Sequence, residues 1–87
     1  MKYMKYRTKT EIMSEILGIA NGSTATKTKI MYQAFLSYAQ MKKHLMVLTQ
    51  NGLLSYDVDT HTFTTTEKGL RFLDTCNKMD GMIKVLA

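Results

Sequence analysis

Leu36-Ser37-Tyr38-Ala39-Gln40-Met41-Lys42-Lys43-His44-Leu45-Met46-Val47-Leu48-Thr49-Gln50-Asn51-Gly52 is the stretch on which the fold turns. Ser37 and Gln40 have capping-box spacing: the serine hydroxyl accepts from the amide three residues on, and the glutamine reaches back. A helix therefore begins at Tyr38. Met41, Leu45 and Leu48 recur at helical spacing and form its buried stripe, and Asn51-Gly52 supplies residues that tolerate the left-handed conformation at a helix end. The spacing predicts a helix over about Tyr38 to Gln50. With that stripe interred, a turn of about 100° per residue puts Ala39, Lys43, Met46 and Gln50 on the outer face, flanked by Gln40 and Lys42.

Upstream, Thr8-Lys9-Thr10-Glu11 is another capping box, and Ile12, Ile16, Ile19 and Ala20 follow at helical spacing until Asn21-Gly22. A first helix over Lys9 to Ala20 is expected. The polar stretch Gly22-Ser23-Thr24-Ala25-Thr26 reads as a loop able to cap a second helix over residues 27 to 34, whose apolar stripe is Ile30, Met31, Ala34 and Phe35. Two helices joined by a turn of about three or four residues, the second carrying basic and amide side chains, make the local pattern of a helix-turn-helix.

Downstream of Gly52 the period changes. Leu53-Leu54-Ser55-Tyr56-Asp57 and His61-Thr62-Phe63-Thr64-Thr65 are short runs rich in threonine and aromatics, separated by Val58-Asp59-Thr60, and read as a hairpin. Thr66-Glu67-Lys68-Gly69 then opens a last helix, with Thr66 or Thr64 as cap. Three helices, a two-stranded hairpin and a final helix define an α+β, mainly α, fold: a winged helix-turn-helix with a C-terminal helix. The whole chain, 1–87, reads as one winged-helix domain, with 79–87 as a helical extension for dimerisation.

At 87 residues, 45% hydrophobic and without proline, the chain has the composition of one ordinary folded domain with a modest core. A single cysteine, Cys76, excludes an intramolecular disulfide and a zinc site built on cysteine pairs, and fits a reducing setting. The charged amino-terminal stretch is not followed by an unbroken apolar run, so neither a signal peptide nor a membrane span is expected, and a cytoplasmic location is. Net charge is +5 and unevenly placed. The first 51 residues carry Lys2, Lys5, Arg7, Lys9, Lys27, Lys29, Lys42 and Lys43 against Glu11 and Glu15 alone, and from Ile16 to Tyr56 there is no acidic side chain. That stretch projects an uncompensated positive field, which implies a polyanionic partner more readily than a merely solvated surface, where signs intersperse.

Ile30-Met31-Tyr32, the block Leu36 to Lys43, Asn51-Gly52-Leu53-Leu54 and Thr66-Glu67-Lys68-Gly69 together resemble the archaeal winged helix-turn-helix family that includes ArnR-like transcriptional regulators. The likeness covers about residues 7 to 79. Its Gly-Leu-Leu and Thr-Glu-Lys-Gly pieces occur in many winged-helix groups, whereas the block around the third helix is more particular. The chain departs from the pattern in having His44 where an aromatic is common, and it lacks the transmembrane segment of some relatives, so membrane-linked signalling is not implied. The resemblance implies a non-enzymatic, DNA-binding transcriptional regulator.

The residues themselves suggest how double-stranded DNA would be held. Lysine offers a point charge to phosphate or guanine, glutamine a bidentate pair to adenine, and alanine or methionine an apolar contact to the thymine methyl. Because the start of such a helix approaches the base edges, Ser37, Tyr38, Ala39, Gln40, Lys42 and Lys43 are the first candidates. Lys27 and Lys29, at the start of the second helix, are candidates for phosphate contact, and His61 near the wing tip is another, although Asp57 and Asp59 would repel the duplex there. Lys2, Lys5, Arg7 and Lys9, interleaved with Tyr3 and Tyr6, have the composition of a basic arm for the minor groove or of a plain chain end.

Catalytic residues, metal ligands and cofactors are not expected. Two separated histidines, one cysteine and no nearby acidic pair make neither a ligand set nor a triad, and no glycine-rich phosphate loop is present. His44 reads as a partly packed ring and Cys76 as a buried apolar side chain.

Phe72, Cys76, Met79, Ile83 and Leu86 fall at alternating intervals of four and three, the seam spacing of a coiled coil, while Leu70 and Leu73 face the winged-helix core. A homodimer through that seam is expected, against a tail folded back on its own domain. The reading is then sequence-specific binding of double-stranded DNA and transcriptional regulation by a homodimer. A protein-interaction module and a sequence-indifferent chromatin architect are the alternatives.

Overall fold

The structure, a computed structural model, describes the backbone of residues 7–86 and the side chains of residues 7–76 and Lys78. In chain order come α1 (Lys9–Ile19), α2 (Lys27–Gln33), α3 (Tyr38–Gln50), β1 (Leu54–Asp57), β2 (Thr62–Thr65) and α4 (Glu67–Leu86). The expected winged helix-turn-helix order is observed. α1 and α2 each stop one residue short of expectation because Ala20 and Ala34 are their C-caps. The strands each start one residue later than expected: Leu53 belongs to the bend that follows α3 and His61 to the turn of the hairpin.

Both capping boxes form. Thr8 Oγ1 accepts from the Glu11 amide at 3.1 Å while Glu11 accepts from the Thr8 amide at 2.7 Å. Ser37 and Gln40 make the equivalent pair at 3.2 and 3.0 Å. Each cap satisfies amides that the first helical turn leaves without partners, worth about 1 kcal/mol.

α2 and α3 end in the same way. Leu53 N–H donates to Leu48 O at 2.9 Å and Gly52 N–H to Thr49 O at 3.1 Å, the paired bonds of a Schellman motif, with Gly52 at φ 74°. At the end of α2, Leu36 N–H donates to Met31 O at 3.0 Å and Phe35 N–H to Tyr32 O at 3.3 Å, and the left-handed position is held by Phe35 at φ 55°. Phe35 is therefore a turn residue, 69% exposed, and not part of the apolar stripe of α2. Its neighbour Leu36 turns inward instead, because the left-handed step redirects the chain into the next helix.

The core gathers Ile16, Leu17 and Ala20 from α1, Ile30 and Ala34 from the second helix and its cap, Met41, Leu45 and Leu48 from α3, and Leu54 and Phe63 from the strands. Each large side chain so buried contributes about 1.5–3 kcal/mol from water removal. β1 and β2 pair antiparallel with Tyr56 opposite Phe63. The loop before α2 is not wholly irregular: Ala25 bridges Phe63 through bonds of 2.8 and 3.0 Å, and Thr65 binds Ala20 O through its amide and Leu17 O through its hydroxyl at 2.7 Å. The base of the wing is thus stitched to α1 and to the entry of α2.

The faces of α4 divide differently from expectation. Leu73 packs on the core as read, but so does Phe72, while Leu70 is 40% exposed. The inward line is set by Gly69, whose lack of a side chain lets the helix start lie against Leu53, and this rotates Leu70 outward. The α4 backbone is continuous through Leu86. The side chains of Met79, Ile83 and Leu86 lie outside the described residues, as do Lys2, Tyr3, Lys5 and Tyr6.

Candidate nucleic-acid interface

α3 presents its two faces as its sequence requires. Met41, His44, Leu45 and Leu48 are buried, and Tyr38, Ala39, Gln40, Lys42, Lys43, Met46, Val47 and Gln50 are exposed. Among the described residues, ion pairs join Arg7 to Glu15 and Lys78 to Asp74, and none engages Lys27, Lys29, Lys42 or Lys43. The cationic flank of α3 therefore faces solvent with no carboxylate partner among the described residues. Lys42 Nζ lies 5.9 Å from the Tyr38 ring centroid, a cation–π contact one helical turn long.

Several candidate residues have prior commitments. The Gln40 carboxamide oxygen is engaged by the Ser37 amide, so the bidentate pairing with adenine read from its type would require the cap to open. The Ser37 hydroxyl accepts from Gln40 N–H and keeps only its own O–H to give. Arg7 is no part of a free arm: it pairs with Glu15 and donates to Phe35 O at 3.2 Å, bracing the turn between α2 and α3. Lys9 is the first residue of α1.

His61 is also drawn back from the tip. It occupies a left-handed turn position at φ 56°, and its Nδ1 shares a 2.9 Å hydrogen bond with the Tyr56 hydroxyl. The tip itself consists of Val58, Asp59 and Thr60, with Asp57 Oδ1 accepting from the Asp59 amide at 2.9 Å. Two carboxylates at that end make it a poor approach to a polyanion.

Lys27 and Lys29, read as a pair, separate. Lys27 is exposed and lines a shallow cleft of about 290 Å³ with Lys42, Leu45, Met46, Thr49, Tyr56 and Phe63. Lys29 is half-buried, two residues away and so on another side of the helix, and its amide already donates to Thr26 Oγ1 at 3.1 Å. Thr49 and Tyr56 are additions that the sequence reading missed. Lys42, Met46 and Thr49 stand at i, i+4 and i+7 and so share one line on α3, a signal present in the spacing. Tyr56 shares a strand face with Leu54.

The two remaining titratable residues of interest are structural. Burial, reinforced by the fields of Lys43, Lys9 and Arg7, pushes the His44 imidazole below its ordinary value, so the ring is neutral near pH 7. His44 is nearly fully buried, more so than the partly packed ring expected. Cys76 is only partly buried, and desolvation raises its thiol. Among the described residues no three metal-ligating side chains converge, and no helix is long and apolar enough to cross a membrane.

The chain belongs to the winged helix-turn-helix family, whose pattern it matches over residues 6–84. Domains of this family are typically non-enzymatic and DNA-binding, and the second helix of the helix-turn-helix is α3 here. No curated protein matches the chain.

Proposed function

We propose that this chain is a sequence-specific double-stranded DNA-binding regulator of transcription, archaeal in type and ArnR-like in its α3 block, that acts in the cytoplasm as a homodimer. The observation that carries the reading is the exposed outer face of α3, where Lys42 and Lys43, unpaired among the described residues, stand beside Ala39, Met46 and Gln50. Lys27, Lys42 and Lys43 neutralise phosphates and release counterions, and Lys29 adds to the field from α2. Tyr38 and Ser37 offer hydroxyls to the backbone at the start of α3, while Ala39, Met46 and Gln50 meet base edges. His61 acts, in this reading, through Nε2, the ring nitrogen not bonded to Tyr56.

Dimerisation through Cys76, Met79, Ile83 and Leu86 rests on their heptad spacing, while Phe72, the first position of that spacing, packs on the core of its own domain. A two-fold dimer doubles few base contacts into a roughly palindromic site, with half-sites about 34–36 Å apart. One observation favours a second reading: Tyr32 and Phe35 expose 71% and 69% of their surface around the α2–α3 turn, as a protein-binding module would.

Titration of a labelled duplex at graded salt tests the reading. A steep fall of affinity with salt, together with poor competition by random duplex, is the expected result. Equal competition by every sequence would replace the regulator with an architectural protein, and no binding at low salt would favour the protein partner.

A further inference from the structure

We propose that the cleft between α3 and the wing binds a small aromatic carboxylate. Its volume, about 290 Å³, sits at the lower end of ligand sites, enough for one or two fused rings and too small for a nucleotide or a folded peptide. Leu45, Met46 and Phe63 supply an apolar floor. Tyr56 and Phe63 pack at 4.7 Å between centroids and 42° between planes, and the exposed Tyr56 ring, backed by the buried Phe63, leaves surface against which a third ring can stack or tilt. The Met46 thioether adds a polarisable contact that aromatic guests favour.

The rim decides the charge of the guest. Lys27 from α2 and Lys42 from α3 are its two ionised side chains, with no carboxylate among the lining residues. The Thr49 hydroxyl already donates to Leu45 O at 2.9 Å and Met46 O at 3.0 Å and so has no free donor for a neutral polar ligand, and the Tyr56 hydroxyl is already engaged with His61 Nδ1. Two lysines over an apolar floor match a molecule with a flat hydrocarbon body and one anionic end. A fully hydrated anion such as inorganic phosphate gains nothing from the floor, and a neutral arene gains nothing from the rim.

The guest would cover Lys42 and Met46, which face the duplex in the proposed function. An aromatic acid and DNA therefore compete, and this regulatory consequence, unlike the site itself, rests on the DNA-binding reading.

The test is a titration of isotope-labelled full-length chain with 1-naphthoate, followed by amide chemical shifts without DNA. Saturable one-to-one shifts centred on Met46, Thr49, Tyr56 and Phe63 are expected, with a Kd on the order of 1 mM. Lys27→Gln with Lys42→Gln should weaken binding about tenfold, as should replacing naphthoate by the neutral 1-naphthalenemethanol. Both lysines form no ion pair among the described residues, so a dispersed spectrum of the double variant will show that its fold is kept. Shifts that do not saturate, that scatter over the surface, or that persist unchanged in the double variant overturn the site. A chain that binds duplex but shows no saturable naphthoate shifts also overturns it. One that takes naphthoate but no duplex overturns the DNA reading instead and leaves the cleft assignment standing.

Discussion

The backbone of Gly69 rests against the carbonyl oxygen of Leu53, with no room between them for a methyl group; a Cβ there would also stand 2.7 Å from Thr65 Cγ2. Around this contact Thr66 N–H donates to Leu53 O at 3.1 Å, Thr66 Oγ1 donates to Gly52 O at 2.6 Å and Lys68 Nζ to Asn51 O at 2.8 Å. The segments Asn51-Gly52-Leu53 and Thr66-Glu67-Lys68-Gly69 are therefore two halves of one joint. It locks the end of α3, past the wing, to the start of α4.

Gly69→Ala should cost about 1–3 kcal/mol by overpacking, because the opposing atoms are backbone and a short side chain that cannot yield. Gly18→Ala, with nothing within 4 Å of its added carbon, should instead stabilise by about 0.5–1 kcal/mol from helix propensity. Thermal unfolding followed by circular dichroism checks both; equal shifts of the same sign would refute the joint.

Phe35→Gly should raise stability by about 0.5–1 kcal/mol, since the left-handed position of the Schellman motif strains an L side chain. Urea unfolding measures it. A loss of stability would mean that the exposed phenyl ring makes contacts worth more than the strain.

Lys43→Glu should weaken duplex binding by more than about tenfold with the melting temperature nearly unchanged, and Lys43→Gln should lower the salt slope by about one. Lys78→Glu makes the same change of net charge on α4, where Lys78 pairs with Asp74, and should leave affinity nearly intact. Binding unaltered in Lys43→Glu would remove α3 from the interface.

His44 makes stability depend on pH. Its folded value is held below the 6.5 of the free imidazole, first by burial and then by Lys43, Lys9 and Arg7. The unfolded chain thus holds more protons between the two values. The contribution of the neutral ring is complete above 6.5 and is lost as pH falls from there toward the folded value. The urea midpoint should drop as pH falls below 6.5, and His44→Leu should flatten the change. An undiminished drop in that variant would assign the effect to another group.

Ile83→Asp should convert the proposed homodimer to a monomer in sedimentation velocity, since a carboxylate at a heptad position loses the apolar burial on which such a seam depends. A dimer that survives the change would move the interface elsewhere.

The sequence by itself determined where the helices start and stop and which side of α3 is greasy. Ser37 with Gln40, Thr8 with Glu11 and Asn51 with Gly52 act within one turn of chain, and such signals carry their meaning locally. Where a signal had two local readings, it misled: Phe35 continued an apolar stripe by spacing, yet serves as the left-handed step of a turn that glycine usually makes. Gln40 was at once a cap and a reader, and the cap holds its oxygen.

Only the tertiary structure decided which residues meet. Lys27 joins Lys42, and Lys29 does not, because α2 crosses α3 at one orientation. Tyr56 enters the cleft because β1 returns beside α3, and His61 is drawn to Tyr56 across the hairpin. Phe72 turns inward and Leu70 outward because Gly69 sets the rotation of α4 against Leu53. Such pairings depend on the relative placement of elements far apart in the chain, which the packing of the shared core selects and no periodicity encodes.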